Sequence, residues 1–165
     1  MRIQVLWEGK TKDAHLRALE QDFAARIRRM TSFEVAELAP QKPGKQRGDA
    51  HRSAKHGKSG NGLTRGEQAL LERLDGSVRV FLDPRGREWT SEEFAQWLGG
   101  QMTMGRREIA FLIGGPDGFS APLRKQADVL LALSRMTLTH EWARALLLEQ
   151  IYRSLTMLRG YPYAR

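Results

Sequence analysis

Three apolar runs of this sequence each end in a loop of small or polar residues, and these ends are the candidates for binding chemistry. The runs end at Leu82, Ile113 and Leu133. In an open parallel sheet, ligands bind beyond the carboxyl ends of the strands. The sequence therefore predicts a ligand site built from the three loops that follow these residues.

The segment IGGPDG, residues 113–118, carries the strongest local signal. Two glycines directly after a buried strand allow a ligand to approach the backbone closely. The same residue types also suit a Pro-Asp-Gly turn that only reverses the chain. The segment has neither the GxGxxG pattern nor the lysine and hydroxyl of a P-loop, so the usual phosphate-binding motifs are absent from it.

The titratable candidates lie near the end of the chain. His140 follows the third loop at the start of a helix, where a histidine either takes part in catalysis or packs the helix end. Glu149 and Arg153 are four residues apart on that helix, which also suits a plain surface ion pair. Tyr163 and Arg165 belong to the tail GYPYAR, which either stacks on a splayed base or packs as an ordinary terminus.

Neither a metal site nor a membrane segment is expected. The chain has no cysteine, and His51 and His56 have no acidic partners at ligand spacing. No apolar run approaches the roughly 18–20 residues that cross a bilayer, and the N-terminal apolar stretch is too short for a secretory signal. We expect a cytoplasmic protein.

The charge favours a polyanionic partner. The formal net charge is +8 over 165 residues, and neutralising phosphates with basic side chains releases counterions. Nucleic acid is the favoured partner, and a basic surface without such a partner is the alternative.

The elements that position these residues form one α/β domain. The predicted strands cover residues 2–7, 33–38, 77–82, 109–113 and 129–133, and the predicted helices cover 13–29, 63–74, 90 to about 98, a segment opened by Ser120, and 140–159. Alternating strands and helices predict a mostly parallel sheet with helices on both faces. The apolar run 109–113 is expected to be a central strand. Residues 83–86 are predicted as a turn, and residues 41–62 as a basic, glycine-rich loop.

Together these pieces resemble a known family. MRIQVLWEGK opens the chain, and LDPRGREWTSEEFA, FLIGGPDGFS, LALSRMTLTHEWARALLLEQIYR and GYPYAR follow in that order. In this combination the chain resembles the RlmH family, SPOUT-class enzymes that methylate N3 of a pseudouridine in large-subunit (23S) ribosomal RNA. The resemblance covers nearly the whole chain and is weakest at residues 41–62.

The resemblance implies a fold, a cofactor and a partner. It implies a C-terminal trefoil knot that binds S-adenosylmethionine (SAM), a homodimer, and action on assembled ribosomes. The implied cofactor residues lie at the three strand ends already identified: Leu82, Gly114, Leu133, Ser134, Arg135, Met136, Thr137 and Leu138.

The implied reaction is direct displacement at a methyl group that is already electrophilic, so the protein mainly positions and desolvates its substrates. The pseudouridine N3 must lose a proton, and a nearby arginine can stabilise the resulting anion. Arg144, Arg153 and Arg165 are the candidates for that arginine. His140 and Tyr163 are further candidates for positioning the substrate.

The chain departs from the family pattern at two places. The family tail reads HPYH before a basic residue, whereas Tyr161 and Ala164 replace both histidines here. The family's LPHP is LTHE at residues 138–141, and the new Glu141 suits the helix dipole. The lost histidines keep a second hypothesis open, a SAM-binding protein that docks on the ribosome without turnover. A third, a nucleotide-binding domain with no RNA partner, should show a phosphate motif, and none is found.

Overall fold

All ten predicted elements occur in the predicted order in the computed structural model, which describes residues 1–38 and 62–163. The strands are β1 (Arg2–Glu8), β2 (Ser32–Leu38), β3 (Val78–Glu88), β4 (Glu108–Ile113) and β5 (Val129–Ala132). The helices are α1 (Ala14–Arg28), α2 (Arg65–Arg73), α3 (Ser91–Thr103), α4 (Ala121–Arg124) and α5 (His140–Leu158). The loop predicted at 41–62 lies outside the described residues except for Gly62.

The strands form one sheet in the order β2-β1-β4-β3-β5, and every neighbouring pair is parallel. Strand β4 lies at the centre, between β1 and β3, and Ile109 to Ile113 are all buried. A strand covered on both faces has no polar side to present, which explains its continuous apolar run. The expectation of a central strand is confirmed.

Helices cover both faces of the sheet, as predicted. Helices α1, α3 and α5 pack on one face and contribute buried residues such as Ile27, Leu98 and Ile151. Helices α2 and α4 pack on the other face through Leu70 and Leu123. The two layers of helices leave the carboxyl edge of the sheet open for a site.

Helix α3 begins at the predicted capping box. The hydroxyl oxygen of Thr90 accepts from the Glu93 backbone N–H at 3.1 Å, and the Glu93 carboxylate accepts from the Thr90 backbone N–H at 2.8 Å. The helix continues to Thr103, beyond the predicted end near residue 98. The glycine at 99 explains the difference, because a Cβ there would lie 2.7 Å from a methyl carbon of Leu158. Close packing of α5 outweighs the poor helix propensity of glycine.

The turn predicted at residues 83–86 is wrong. Strand β3 runs on through these residues, shifts its register after Leu82, and pairs again with β5 through Arg87 and Glu88. Pairing with a distant strand overrides the local preference of an Asp-Pro-Arg-Gly segment for a turn.

Gly86 lies at the closest approach between this segment and β5. A Cβ at Gly86 would be 2.6 Å from the Leu130 carbonyl carbon and from the Leu131 backbone nitrogen. Backbone atoms of a paired strand have little room to move. We expect Gly86→Ala to lower the free energy of unfolding by about 2–3 kcal/mol, the upper part of the range for overpacking. Urea denaturation monitored by circular dichroism measures this difference.

Gly100→Ala is the matched control for this prediction. Gly100 lies inside α3, and nothing is within 4 Å of a Cβ built there. The same added methyl should raise stability by about 0.8–1 kcal/mol, since alanine is the better helix former. Equal effects of the two substitutions would contradict the close approach at Gly86.

No helix in the described parts of the chain is long and apolar enough to span a lipid bilayer.

Candidate active site

A cavity of about 420 Å³ opens at the carboxyl ends of β4 and β5 and beside Leu82 to Pro84 in the middle of β3, where the register of β3 shifts. Its volume lies within the roughly 300–1,000 Å³ typical of cofactor and small-molecule sites. The cavity is at the edge where the three strand ends were predicted to build a site. Seven predicted cofactor residues line it: Leu82, Gly114, Leu133, Ser134, Met136, Thr137 and Leu138.

The eighth predicted cofactor residue, Arg135, is not part of the lining. Its side chain is 88% exposed and donates from Nε to the Glu88 carboxylate at 3.0 Å. The position of Arg135 in the loop therefore does not determine the direction of its side chain, which points away from the cavity.

The cavity also has walls that the sequence prediction did not name as cofactor residues. They come from the residues adjoining the strand ends and from the first turn of α5: Asp83, Pro84, Ile113, Gly115, Pro116, Gly118, Leu131, Ala132, Thr139, His140 and Ala143. Most are immediate neighbours of predicted residues, so widening each strand end by two positions would have found them. The contribution of β5 and α5 to the cavity wall depends on how these elements pack against the rest of the chain.

The loop between β5 and α5 is organised by two hydroxyls. Ser134 Oγ accepts from the backbone N–H of Met136 at 2.9 Å. Thr139 Oγ1 accepts from the backbone N–H of Trp142 at 3.3 Å and so caps α5. These local hydrogen bonds place His140 at the cavity wall.

Asp83 is a buried charge at the cavity and is held by two arginines. Arg85 donates to it from Nε at 3.0 Å and from its backbone N–H at 2.9 Å, and Arg124 Nε lies 2.8 Å away. Burial alone would raise the pKa of Asp83, but the hydrogen bonds from Arg85 and the charge of Arg124 outweigh it, so the pKa is lowered. The carboxylate therefore stays ionised and ties the middle of β3 to α4.

Removing this charge should destabilise the protein only where the carboxylate is ionised. We expect Asp83→Asn to lower the free energy of unfolding by about 2 kcal/mol at neutral pH, the scale of hydrogen bonds to a charged group. Because the pKa of Asp83 is lower in the folded protein, the ionised carboxylate stabilises the fold fully above the unfolded-state pKa of about 3.9. This stabilisation is lost as the pH falls through the folded-state pKa. Urea denaturation at pH 7 and near pH 2–3 should show the difference shrinking in acid. A difference that does not change with pH would assign Asp83 a purely steric role.

Gly114 closes the loop that forms one wall. A Cβ at Gly114 would be 3.1 Å from the Gly118 Cα and 3.2 Å from its carbonyl carbon. The loop 114–118 is therefore folded against itself, and an added side chain would push it out of shape.

The predicted catalytic residues fall in different places. His140 lines the cavity. Arg144 is fully buried beneath α5 and donates to Thr11 Oγ1 at 2.8 Å and to the Glu8 carbonyl at 2.6 Å. Its guanidinium also lies 5.2 Å from the centroid of the Trp7 ring. These contacts occupy Arg144 within the protein, so direct contact with a substrate is disfavoured.

Arg153 and Tyr163 lie together, away from the cavity. Arg153 donates to Glu149 Oε1 at 2.6 and 2.9 Å and packs 5.3 Å from the Tyr163 ring centroid. Tyr163 donates to the same oxygen at 3.3 Å. Burial, and then the charge of Glu149, raise the pKa of Tyr163. At about 1.5 Å per residue, α5 separates Arg153 from His140 by roughly 20 Å. Arg165 and Ala164 lie outside the described residues.

The residues described provide no metal centre: no group of three or more His, Cys, Asp or Glu side chains is placed to hold an ion.

Comparison with known proteins identifies the class of protein to which this chain belongs. The family model described as predicted SPOUT methyltransferase matches residues 1–164. The chain belongs to this family and is a methyltransferase, with S-adenosylmethionine as its methyl donor.

Particular relatives narrow the family further. The chain is 38% identical over 165 residues to ribosomal RNA large subunit methyltransferase H of Geobacter metallireducens, covering 99% of this chain and 98% of the relative. It is 38% identical over 164 residues to the protein of the same name in Geotalea daltonii, covering 99% of each. The resemblance to the RlmH family is confirmed.

Solved structures agree on the fold. A probable methyltransferase from Bordetella pertussis matches with a TM-score of 0.54 and 13% identity, covering 93% of this chain and 96% of that chain. A probable methylase family protein from Haemophilus influenzae matches with a TM-score of 0.54 and 12% identity, covering 99% of this chain and 70% of that chain. At these identities the likeness concerns the fold alone.

Proposed function

We propose that this protein transfers a methyl group from SAM to N3 of a pseudouridine in large-subunit ribosomal RNA, acting on assembled ribosomes. The observation that carries the proposal is the cavity at the ends of β4 and β5 and the middle of β3, found in a chain similar over its whole length to large-subunit RNA methyltransferases. The basic net charge of +8 fits a phosphate-rich substrate.

The cavity suits SAM in its size and in the kind of surface it offers. Leu82, Ile113 and Leu131 supply apolar walls for a flat base. The loop of residues 133–138 adds backbone and hydroxyl groups for polar contacts. When bound, SAM supplies an electrophilic methyl group. The protein's own part is to hold that group against the acceptor and to exclude water.

The acceptor nitrogen must lose its proton, so a cation beside it would lower the barrier by stabilising the anion. Arg153 is our candidate for this cation, with Tyr163 beside it and His140 positioning the substrate from the cavity wall. Arg153 and the cavity of the same chain are separated by roughly 20 Å of α5. We therefore propose a homodimer in which Arg153 and Tyr163 of one protomer serve the cavity of its partner.

Three further elements belong to this proposal. The trefoil knot implied by the family resemblance would bring the segments 83–88 and 114–118 and the loop before α5 around the cofactor. Arg165 would extend the group formed by Arg153 and Tyr163. The protein would act in the cytoplasm, where ribosomes are found. The alternative of a docking protein without turnover depended on Ala164, and no observation favours it.

The direct test is transfer of a labelled methyl group from SAM to ribosomes that lack native large-subunit methylation, with free ribosomal RNA in parallel. Label in ribosomes, mapped to N3 of one pseudouridine, is the expected result. Label on free RNA alone would overturn the assignment of the assembled ribosome. Bound SAM without any label would overturn the proposed reaction.

A substitution in the cavity wall, compared with a matched control, tests whether this cavity binds SAM. Gly114→Ala should weaken SAM binding by about fivefold to a hundredfold, because overpacking the loop against Gly118 costs about 1–3 kcal/mol and 1.4 kcal/mol is a factor of ten in affinity. Isothermal titration of SAM into the purified variant measures this change, with Gly100→Ala as the control. Unchanged affinity in the Gly114 variant would count against the cavity as the cofactor site.

A further inference from the structure

A second cavity of about 410 Å³ lies on the other half of the sheet, between α1 and strands β1 and β2. We call it the α1 groove. Its lining residues are Trp7, Lys10, Thr11, Arg17, Glu20, Gln21, Ala24, Arg28, Val35 and Glu37. Neither the family resemblance nor the proposed reaction uses it.

A buried carboxylate of the α1 groove has spare accepting capacity. Glu20 is 6% exposed, and its two oxygens lie 2.8 and 2.9 Å from the same atom, Thr11 Oγ1. A hydroxyl has one hydrogen to donate, whereas an ionised carboxylate has about four acceptor sites. No other described residue donates a hydrogen bond to Glu20. Burial raises the pKa of Glu20, as expected for a carboxylate with too few donors.

Basic side chains lie along the rim of the groove, with Lys10 and Arg17 at the N-terminal end of α1 and Arg28 at the opposite end, 5.8 Å from the centroid of the Phe33 ring. Lys10, Arg17 and Arg28 are all exposed. Arg17 is anchored to the Thr11 carbonyl. Among the residues described, neither Lys10 nor Arg28 forms a salt bridge with a carboxylate. The groove therefore offers three cations and one exposed carboxylate, Glu37, along its rim and an acceptor at its floor.

One end of the α1 groove and the cofactor cavity open near the same edge of the sheet. Trp7 and Glu37 lie near the carboxyl ends of β1 and β2, and the cofactor cavity lies over the ends of β4 and β5 and the middle of β3. With strands about 4.8 Å apart, the two sites are separated by two to three strand spacings, roughly 10–15 Å. A single looped RNA segment can reach both.

We infer that the α1 groove binds a second, unpaired nucleotide of the same RNA substrate. An amino group of its base donates to Glu20, one phosphate beside it lies against Lys10, and a phosphate further along the same strand lies against Arg28. Carboxylates accept from base amino groups such as N4 of cytosine, and proteins read RNA mostly at unpaired bases splayed out of loops. The groove would thus select a base with an amino group over uracil. This inference rests on the proposed function.

The test compares two double variants with the same change of charge. Lys10→Gln with Arg28→Gln alters the groove, and Arg65→Gln with Arg73→Gln removes two exposed cations from α2, on the other face of the sheet. Equilibrium binding of ribosomes by co-sedimentation and the KM for ribosomes are measured at several salt concentrations. SAM affinity is measured on the protein alone.

We expect the groove variant to bind ribosomes at least tenfold more weakly, with unchanged SAM affinity. Its slope of log affinity against log salt should fall by about 1.4, since each phosphate contact with a single strand contributes roughly 0.7. Glu20→Gln should raise the KM for ribosomes without changing that slope, because it replaces one accepting oxygen with an NH2 donor and removes no cation. The α2 variant should bind ribosomes like the wild type.

Each of the other possible outcomes would contradict a different part of the inference or of the proposed function. Ribosome binding unchanged in the groove variant would overturn the inference while leaving the proposed function intact. Equal weakening in both double variants would replace the groove with a diffuse basic surface. Loss of SAM affinity together with ribosome binding would make the groove residues structural. A wild-type protein that binds ribosomes without methylating them would overturn the proposed reaction alone, since co-sedimentation tests the groove without turnover.

Discussion

Two inactive variants are expected to restore each other's activity when they are combined in one dimer. Gly114→Val disrupts the cofactor loop, because its side chain would meet the Gly118 backbone at about 3 Å. Arg153→Gln removes the proposed cation. If Arg153 serves the partner's cavity, a dimer with one copy of each variant contains one intact site and one doubly damaged site. Such heterodimers should show about half of the wild-type activity per dimer.

Co-expression with two different tags and tandem purification isolates these heterodimers for a methyl-transfer assay. A heterodimer of two cavity variants, Gly114→Val with Leu133→Glu, is the control and should stay inactive, because no intact cavity remains. Inactive heterodimers of the first kind would show that Arg153 does not complete the partner's site. A protein that is monomeric at assay concentration would contradict the proposed dimer directly.

The largest loss of stability is expected at Arg144. Its side chain is fully buried, with hydrogen bonds to Thr11 and to the Glu8 carbonyl and a position over the ring of Trp7. The charge of Arg144 also lowers the cost of burying Glu20. Arg144→Ala would leave that carboxylate and that carbonyl without these partners, at a cost of about 3–5 kcal/mol. Denaturant unfolding should show this loss.

Arg144→Lys separates the charge from the geometry. Lysine keeps the positive charge but cannot reproduce the planar fork that reaches two acceptors, so it should recover only part of the lost stability. Below the melting temperature, the folded Arg144→Lys protein should bind SAM with wild-type affinity, since Arg144 is not part of the cofactor cavity. A specific loss of methyl transfer with normal stability would return Arg144 to the list of catalytic candidates.

Much of the fold could be predicted because its signals are local. The continuous apolar run at 109–113 identified the central strand, and Thr90 with Glu93 identified the start of α3. Glycines and small polar residues after the apolar runs indicated the region where the cavity of about 420 Å³ is found. These features depend on burial on both faces of a strand and on hydrogen bonds within a few residues.

The remaining features depend on contacts between distant parts of the chain. The extension of β3 beyond Leu82 exists because β5 offers a second pairing surface. The burial of Arg144 depends on the loop after β1, more than 100 residues earlier in the chain. The α1 groove combines side chains from two strands and a helix, each unremarkable in the sequence. Periodicity and residue type carry no information about such juxtapositions.

The central position of β4 also governs how the chain can fold. Strand β1 pairs with β4 from Arg2↔Glu108 to Trp7↔Ile113, so an edge of β1 stays open until residues about 100 positions later have been synthesised. Such pairings have high contact order and form slowly. A nascent chain that ends before β4 exposes an unpaired apolar strand edge, which is a template for aggregation. The pairing of β1 with β4 can therefore form only after residues up to 113 of the 165 have left the ribosome, and truncations before residue 113 should be insoluble.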